Sequence, residues 1–374
     1  LGADTRRRLG DVHFARSEYD QAQTRYEEAL PIYASIGNKL GQANCILALG
    51  DVHAQRSEYD QAQTRYKEAL PIYESIGDRL GQANCIKALG DVHFARSEYD
   101  QARTRYEEAL PIYENIGDRL GQANCIKNLG DVHKQRSEYG QAQTRYEEAL
   151  PIYASIGNKR GQANCIKALG DLAGEEEDYV SALALLEEVA ERYRSLGLLA
   201  GEANAVNSMA VIFEEQKEYE KAIETYTRAL EIHPHQAGYI LRNRAYIHIK
   251  RKDVKRAEQD IEAAAKLQPQ NAYLSLLRGN LALLLDDVDG ALEHFEAALK
   301  LYPRMNYALF GVGRAHLRAN RPDEAVEAYQ KGLALTYSHK ELKGAIEELE
   351  DLSTEHPDLP GLEKVMELVR NRVS

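Results

Sequence analysis

Tryptophan is absent from this sequence and phenylalanine occurs only five times, so its 23 tyrosines carry nearly all of the aromatic surface. Ten prolines and 28% charged residues exclude a collagen-like chain and do not fit a disordered one. No run approaches the roughly 18 consecutive apolar residues of a membrane span, and no charged-then-apolar leader opens the chain. A cytoplasmic protein with no membrane partner is therefore expected. Basic excess is missing too. The formal net charge is −12, with 24 basic against 31 acidic groups in residues 1–200 and 23 against 28 in the remainder. Without a basic stripe to neutralise phosphates, nucleic acid is a poor partner.

The sequence also has no phosphate-cradling glycine loop, no HExxH and no CxxC pair, so no cofactor and no metal are expected. Its four cysteines, Cys45, Cys85, Cys125 and Cys165, stand one 40-residue period apart. Packed helices lie about 8–10 Å from each other, beyond the roughly 7 Å that a disulfide spans. Four reduced thiols acting as small apolar side chains are expected.

What the chain has is repetition. Residues 81–120 return as residues 121–160 with about three quarters of the positions identical. Periods of about 20–50 residues indicate solenoids or propellers, because so small a unit must stack on copies of itself to bury an apolar face. Two helices read out of each unit. Cys45, Ile46, Leu49, Val52 and His53 recur at helical spacing, and Tyr59, Ala62, Tyr66, Ala69, Leu70 and Tyr73 form a second series after the polar break Arg56-Ser57-Glu58. Asp60 with Gln63, and Asp20 with Gln23, read as capping boxes for the second helix, and Gly140 replaces that cap in the fourth unit. Pro31, Pro71, Pro111 and Pro151 fall inside the second helix, where a repeated bend is expected. Gly37, Gly77, Gly117 and Gly157 close it in the left-handed conformation.

Leu49-Gly50, His53, Ala62, Tyr66 and Ala69 resemble the tetratricopeptide signature, with His53 in a place usually held by an aromatic. The pattern recurs nine times. The first five copies, residues 1–200, look like the 40-residue variant of spindle-orientation adaptors of the Pins/LGN type, whose joint resembles Gly77-Asp78-Arg79-Leu80-Gly81-Gln82-Ala83. Four shorter copies, with a period of 34–35 residues, occupy 201–338. The resemblance implies an all-α solenoid, a right-handed superhelix of helix-turn-helix repeats. Residues 339–374 leave the signature but keep helical patterning in Leu342, Ile346, Leu349 and Leu352, then Leu362, Val365, Leu368 and Val369. They read as capping helices, with EELEDLSTEH and VRNRVS as the polar outer face.

Catalytic readings fare poorly. His13, His53, His93 and His133 fill the aromatic slot of their repeats as packing residues, Glu27-Glu28 and its copies read as a solvated face, and Gly174–Asp178 is a charged turn. No enzyme is expected. In repeats of this kind the first helix lines the concave side, where positions 44, 47, 51 and 54 share one face. That face carries Asn44, Asn84, Asn124 and Asn164, then Leu47, Lys87, Lys127 and Lys167, then Asp11, Asp51, Asp91, Asp131 and Asp171.

Asparagine both donates and accepts, which suits a peptide backbone, while the Lys and Asp rows select charge. The alternative is that these rows only tie neighbouring repeats together, Lys to Asp. The clamp that chaperone-binding members close on a C-terminal carboxylate is not matched: the corresponding places hold Asn207, Val211, Asn243, Tyr273 and Leu277, and only Asn243 agrees.

The function expected is therefore a non-catalytic scaffold that binds a protein or peptide segment in its concave groove. Two rivals are end-to-end self-association into filaments and service as the sensor arm of a larger signalling enzyme, the latter suggested by a chain that opens on Leu1 and not on Met.

Overall fold

A computed structural model describes residues 2–234, 237–336 and 339–373; Leu1 and Ser374 lie outside the described residues. Helices account for the secondary structure, with no strand among the described residues. Two compact units divide the chain, residues 1–178 and residues 179–374. The first holds α1 (Ala3–Ala15), α2 (Tyr19–Ser35), α3 (Lys39–Gln55), α4 (Tyr59–Ile76), α5 (Arg79–Ala95), α6 (Tyr99–Ile116), α7 (Arg119–Gln135), α8 (Tyr139–Ser155) and α9 (Lys159–Glu175). The second holds α10 (Tyr179–Ser195), α11 (Leu199–Glu215), α12 (Tyr219–Ile232), α13 (Gly238–Lys250), α14 (Val254–Leu267), α15 (Ala272–Leu284), α16 (Val288–Leu301), α17 (Asn306–Arg318), α18 (Pro322–Ala334), α19 (His339–Glu355) and α20 (Leu362–Val373).

Helical hairpins form because each second helix has one apolar stripe to bury. In α4 the stripe is Ala62, Tyr66, Ala69 and Tyr73, all buried, at the spacing of a single helix face. The two tyrosines need flat ground, and glycine provides it. A β-carbon on Gly50 would stand 2.5 Å from the Tyr66 ring, and one on Gly81 would stand 2.1 Å from the Tyr73 ring. Tyr66 thus seals a hairpin, and Tyr73 seals the joint to the next one. Burying an aromatic side chain of this size stabilises by on the order of 2–3 kcal/mol. The joint is completed by Cys85, which is fully buried beside Ala69 and Tyr73. All four cysteines are buried and free, and burial pushes the Cys85 thiol up to about 12, which keeps it unreactive at neutral pH.

The turns have a chemistry the sequence disguised. Ser57 takes φ 60° and Ser97 φ 61°, so the first helix of each hairpin ends in a left-handed serine. The Glu58 amide then donates to the His53 carbonyl at 2.9 Å, a Schellman closure. His53 Nδ1 meets Glu58 Oε2 at 2.5 Å. The histidines are therefore structural but do more than pack, since each pins its own turn. Helix α4 begins immediately at Tyr59, so Asp60 lies inside the first turn and Glu58 is the capping position, without a side-chain cap. The capping-box expectation at Asp60 and Asp20 fails for this reason. Their carboxylates instead pair across the joint with Arg96 and Arg56. True side-chain caps sit at the other turn, where Asn38 and Asp78 accept from the Gly41 and Gly81 amides at 2.8 and 3.0 Å.

Gly77 and Gly117 end their helices at φ 71° and 73°, as expected. Pro71 lies within α4 without interrupting it. In the first unit α1 also touches α3, α3 touches α5 and α5 touches α7. Their shared side is thereby the inner one.

The second unit shortens its hairpins. Helices α13 and α14 span 13 and 14 residues against 17 and 18 for α3 and α4, about one turn less per helix. Helix α19 departs from the expected polar outer face. Its acidic stretch turns toward the inner helices, with Glu348 on Arg314 at 3.1 Å, Asp351 on Lys250 at 2.6 Å and Glu355 on Lys252 at 2.6 Å. Sequence patterning missed this because the paired residues stand about a hundred positions apart.

Candidate functional site

The asparagine, lysine and aspartate rows lie on α3, α5, α7 and α9, on the side those helices share. Asn44, Asn84 and Asn124 are half-buried, and Asn164 is exposed. Each of the first three is oriented by a tyrosine from the second helix of its own hairpin. Tyr73, Tyr113 and Tyr153 donate their hydroxyls to the Oδ1 atoms of Asn44, Asn84 and Asn124 at 2.7 Å. The acceptor half of each amide is thus engaged. Its Nδ2 group makes no hydrogen bond among the described residues.

The aspartates are held the same way, about two turns along. Tyr66, Tyr106 and Tyr146 donate to Oδ1 of Asp51, Asp91 and Asp131 at 2.8, 2.9 and 3.0 Å. Burial, reinforced by the adjacent carboxylate, pushes the Tyr106 hydroxyl far above its ordinary pKa, so it remains a donor. Lys87 reaches Asp91 Oδ2 at 2.7 Å, Lys127 reaches Asp131 at 2.5 Å and Lys167 reaches Asp171 at 2.7 Å. These pairs stand four apart on one helix. The Asp row is also tied across repeats, as the alternative reading supposed, by Lys134, 3.7 Å from Asp171, and by Asn128 Nδ2, which donates to Asp91 Oδ1 at 3.1 Å. Burial opposes the charge on Lys87, but Asp91 outweighs it and raises the pKa.

Asp51 is the exception. Leu47 stands where the other repeats have lysine, so no ammonium neutralises this carboxylate from its own helix. Burial pushes its pKa up to about 6, against which the Tyr66 hydroxyl and Lys87 act only in part. The face is accordingly a row of oriented amide donors beside neutralised Lys–Asp pairs, with one carboxylate that titrates near neutral pH. The tyrosines that orient it were visible in the sequence as a residue type: Tyr66 and Tyr73 have counterparts in α2, α6 and α8, where phenylalanine would pack as well, and a buried hydroxyl requires a partner.

Among the described residues no group of His, Cys, Asp and Glu is placed to hold a metal ion, and no helix is long and apolar enough to cross a membrane.

Comparison with known proteins agrees with this architecture. No curated protein matches the sequence. A Rap protein complexed with competence and sporulation factor superposes with a TM-score of 0.62 at 16% identity, over 89% of this chain and 97% of that one. The apo form of RapI gives 0.59 at 15% identity over the same shares. A tetratricopeptide repeat protein from Parabacteroides merdae gives 0.51 at 14%, over 78% of this chain and 98% of that one. At these identities the likeness is one of fold. Tetratricopeptide-repeat models match residues 3–75, 82–155, 162–235, 242–298 and 276–336, which is most of the sequence. The recurrent Gly–Tyr hairpins and these matches together establish that the chain belongs to the tetratricopeptide-repeat family, whose arrays are scaffolds for protein interaction.

Proposed function

We propose that the first unit binds an extended or helical peptide segment of a partner protein along the inner face of α3, α5, α7 and α9, without catalysis. Asn44, Asn84, Asn124 and Asn164 address the peptide backbone. Lys87, Lys127 and Lys167, with Asp51, Asp91 and Asp131, sort its side chains. The observation that carries the reading is the orientation of Asn44, Asn84 and Asn124: tyrosine fixes each acceptor and leaves each Nδ2 donor uncommitted, one per repeat. Donors held in place before binding lose little conformational freedom when a ligand arrives, so weak contacts add usefully. The Rap neighbour, of similar fold, is likewise complexed with a second molecule, competence and sporulation factor.

Asn→Asp is the discriminating substitution, because it keeps the acceptor for the tyrosine and puts a carboxylate oxygen where the Nδ2 donor was. Peptides selected by phage display on the wild-type chain are expected to bind the N84D/N124D variant at least tenfold more weakly, while its circular dichroism stays native. Equal affinity for both proteins would refute the asparagine row as the contact.

A further inference from the structure

The second unit has an inner face of its own, and a segment of the same chain already lies on it. Helix α19 is amphipathic. Leu342, Ala345, Leu349 and Leu352 pack into a core with Phe310, Leu317 and Tyr329 of α17 and α18 and with Leu362, Val365 and Val369 of α20. Its acidic side runs the other way. Glu347, Asp351 and Glu355 stand four apart and form one stripe, which meets Lys217 at 3.4 Å, Lys250 at 2.6 Å and Lys252 at 2.6 Å. Glu348 meets Arg314 at 3.1 Å. A helix from the end of the unit thus reaches back over α17 and α13 to the turn after α11. Beneath it lies a cleft of about 580 Å³, lined by Tyr246, Asn280, Arg314 and Arg318 on one side and by Glu348 and Thr354 on the other.

Two features mark this as a surface with a ligand preference. Positive φ recurs where the first helix of each hairpin ends, and the residues there are Lys217 (φ 60°), Lys252 (φ 59°), Asp286 (φ 65°) and Asn320 (φ 57°). Asp and Asn suit that backbone, whereas lysine has no local hydrogen bond to favour it. Both lysines found at these turns pair with α19. The second feature is exposure: Lys217, Lys252 and their carboxylate partners are all more than 40% exposed. Exposed pairs are weak and screened by salt, so the two ends of the stripe are held loosely, while the Glu348–Arg314 pair, at 18% and 13% exposed, and the apolar side are well enclosed.

We propose that the inner face of the second unit is a docking surface for an acidic amphipathic helix of a partner protein, and that α19 is its intramolecular occupant, which the partner displaces. The partner helix presents carboxylates at every fourth position opposite the Lys217, Lys250 and Lys252 row. This site goes beyond the peptide face proposed for the first unit and uses none of its residues, so either can fail alone.

The probe is a fluorescein-labelled synthetic peptide of residues 341–356, measured by anisotropy against the full chain. Reversing the stripe with E347K/D351K/E355K repels α19 from the lysine row and leaves its apolar face and Glu348 intact. That variant is expected to bind the peptide at least tenfold more tightly than wild type, and adding K250E/K252E is expected to abolish the gain. A peptide with the three acids of the stripe replaced by their amides is expected not to bind. Equal binding by wild type and the charge-reversed variant, or by acidic and amide peptides, overturns the proposal.

A second measurement needs no variant. In wild type, α19 amides are expected to exchange with solvent faster when NaCl rises from roughly 0.05 to 0.5 M, where the screening length shrinks severalfold, while α13 and α17 amides do not change. Salt-independent protection of α19 equal to that of α17 also overturns it.

Discussion

In the first unit the inner side of α3, α5 and α7 is engaged by residues of the same hairpin, tyrosine to asparagine 29 positions away and tyrosine to aspartate 15 positions away. In the second, the inner side of α13 and α17 is met by carboxylates of α19, with 101 residues between Lys250 and Asp351. Near-identical repeats can satisfy only what every copy shares, so their polar contacts are local and periodic. Diverged repeats free individual positions, and a long-range partner can then recruit them. Helix length follows the same division: the extra turn in α3 and α4 accompanies the joint in which Tyr73 covers Gly81.

The largest effect is expected at the glycine joint. Gly81→Ala places a β-carbon 2.1 Å from the Tyr73 ring and is expected to destabilise by about 2–3 kcal/mol, despite the better helix propensity of alanine. Gly344→Ala in α19, where nothing lies within 4 Å, is expected to be neutral or mildly stabilising, and urea unfolding of both variants checks the contrast. Next comes the hydroxyl ladder. Tyr106→Phe leaves the ring and removes the donor to Asp91, an expected loss of about 1–2 kcal/mol in the same assay.

Asp51 tests what a missing lysine does. Its folded pKa of about 6 lies above the ordinary 3.8, so the native state holds its proton more tightly than the unfolded chain does. The stability lost to the charged form is full above pH 6 and is recovered as pH falls toward 4. Asp51→Asn keeps the acceptor for Tyr66 and is expected to stabilise by about 1–2 kcal/mol at pH 7, less than the whole shift implies because the carboxylate keeps some contact with water. The gain should vanish near pH 4, as thermal melts at the two pH values would show.

The smallest effect is expected at Gly140. Asp20, Asp60 and Asp100 pair with Arg56, Arg96 and Arg136 one repeat on, but the position after Gly140 in that series is Glu176, so the acid and its cation are replaced together. Gly140→Asp should therefore change the stability read by urea unfolding by no more than a few tenths of a kcal/mol.

Much of the fold was legible because copies confirm one another: hairpins, left-handed glycines and buried cysteines each recur at the same register. The cap was misread because Asp60 is a good capping residue placed two positions too late, and the left-handed serine that sets the helix start carries no glycine signal. The rows of the first unit were found as a face, but their tyrosine partners were not, since a helical pattern counts tyrosine as apolar. Nothing in the sequence announced α19, because charge pairing over a hundred residues leaves no period to detect.

One sulfur stands at each joint of the early array, packed where the tyrosine of one hairpin meets the next helix. Four thiols sealed this way divide the array into separately readable segments. The order in which Cys45, Cys85, Cys125 and Cys165 yield to an alkylating reagent traces which neighbours part first, so the unzipping of the wild-type chain can be followed without any added label.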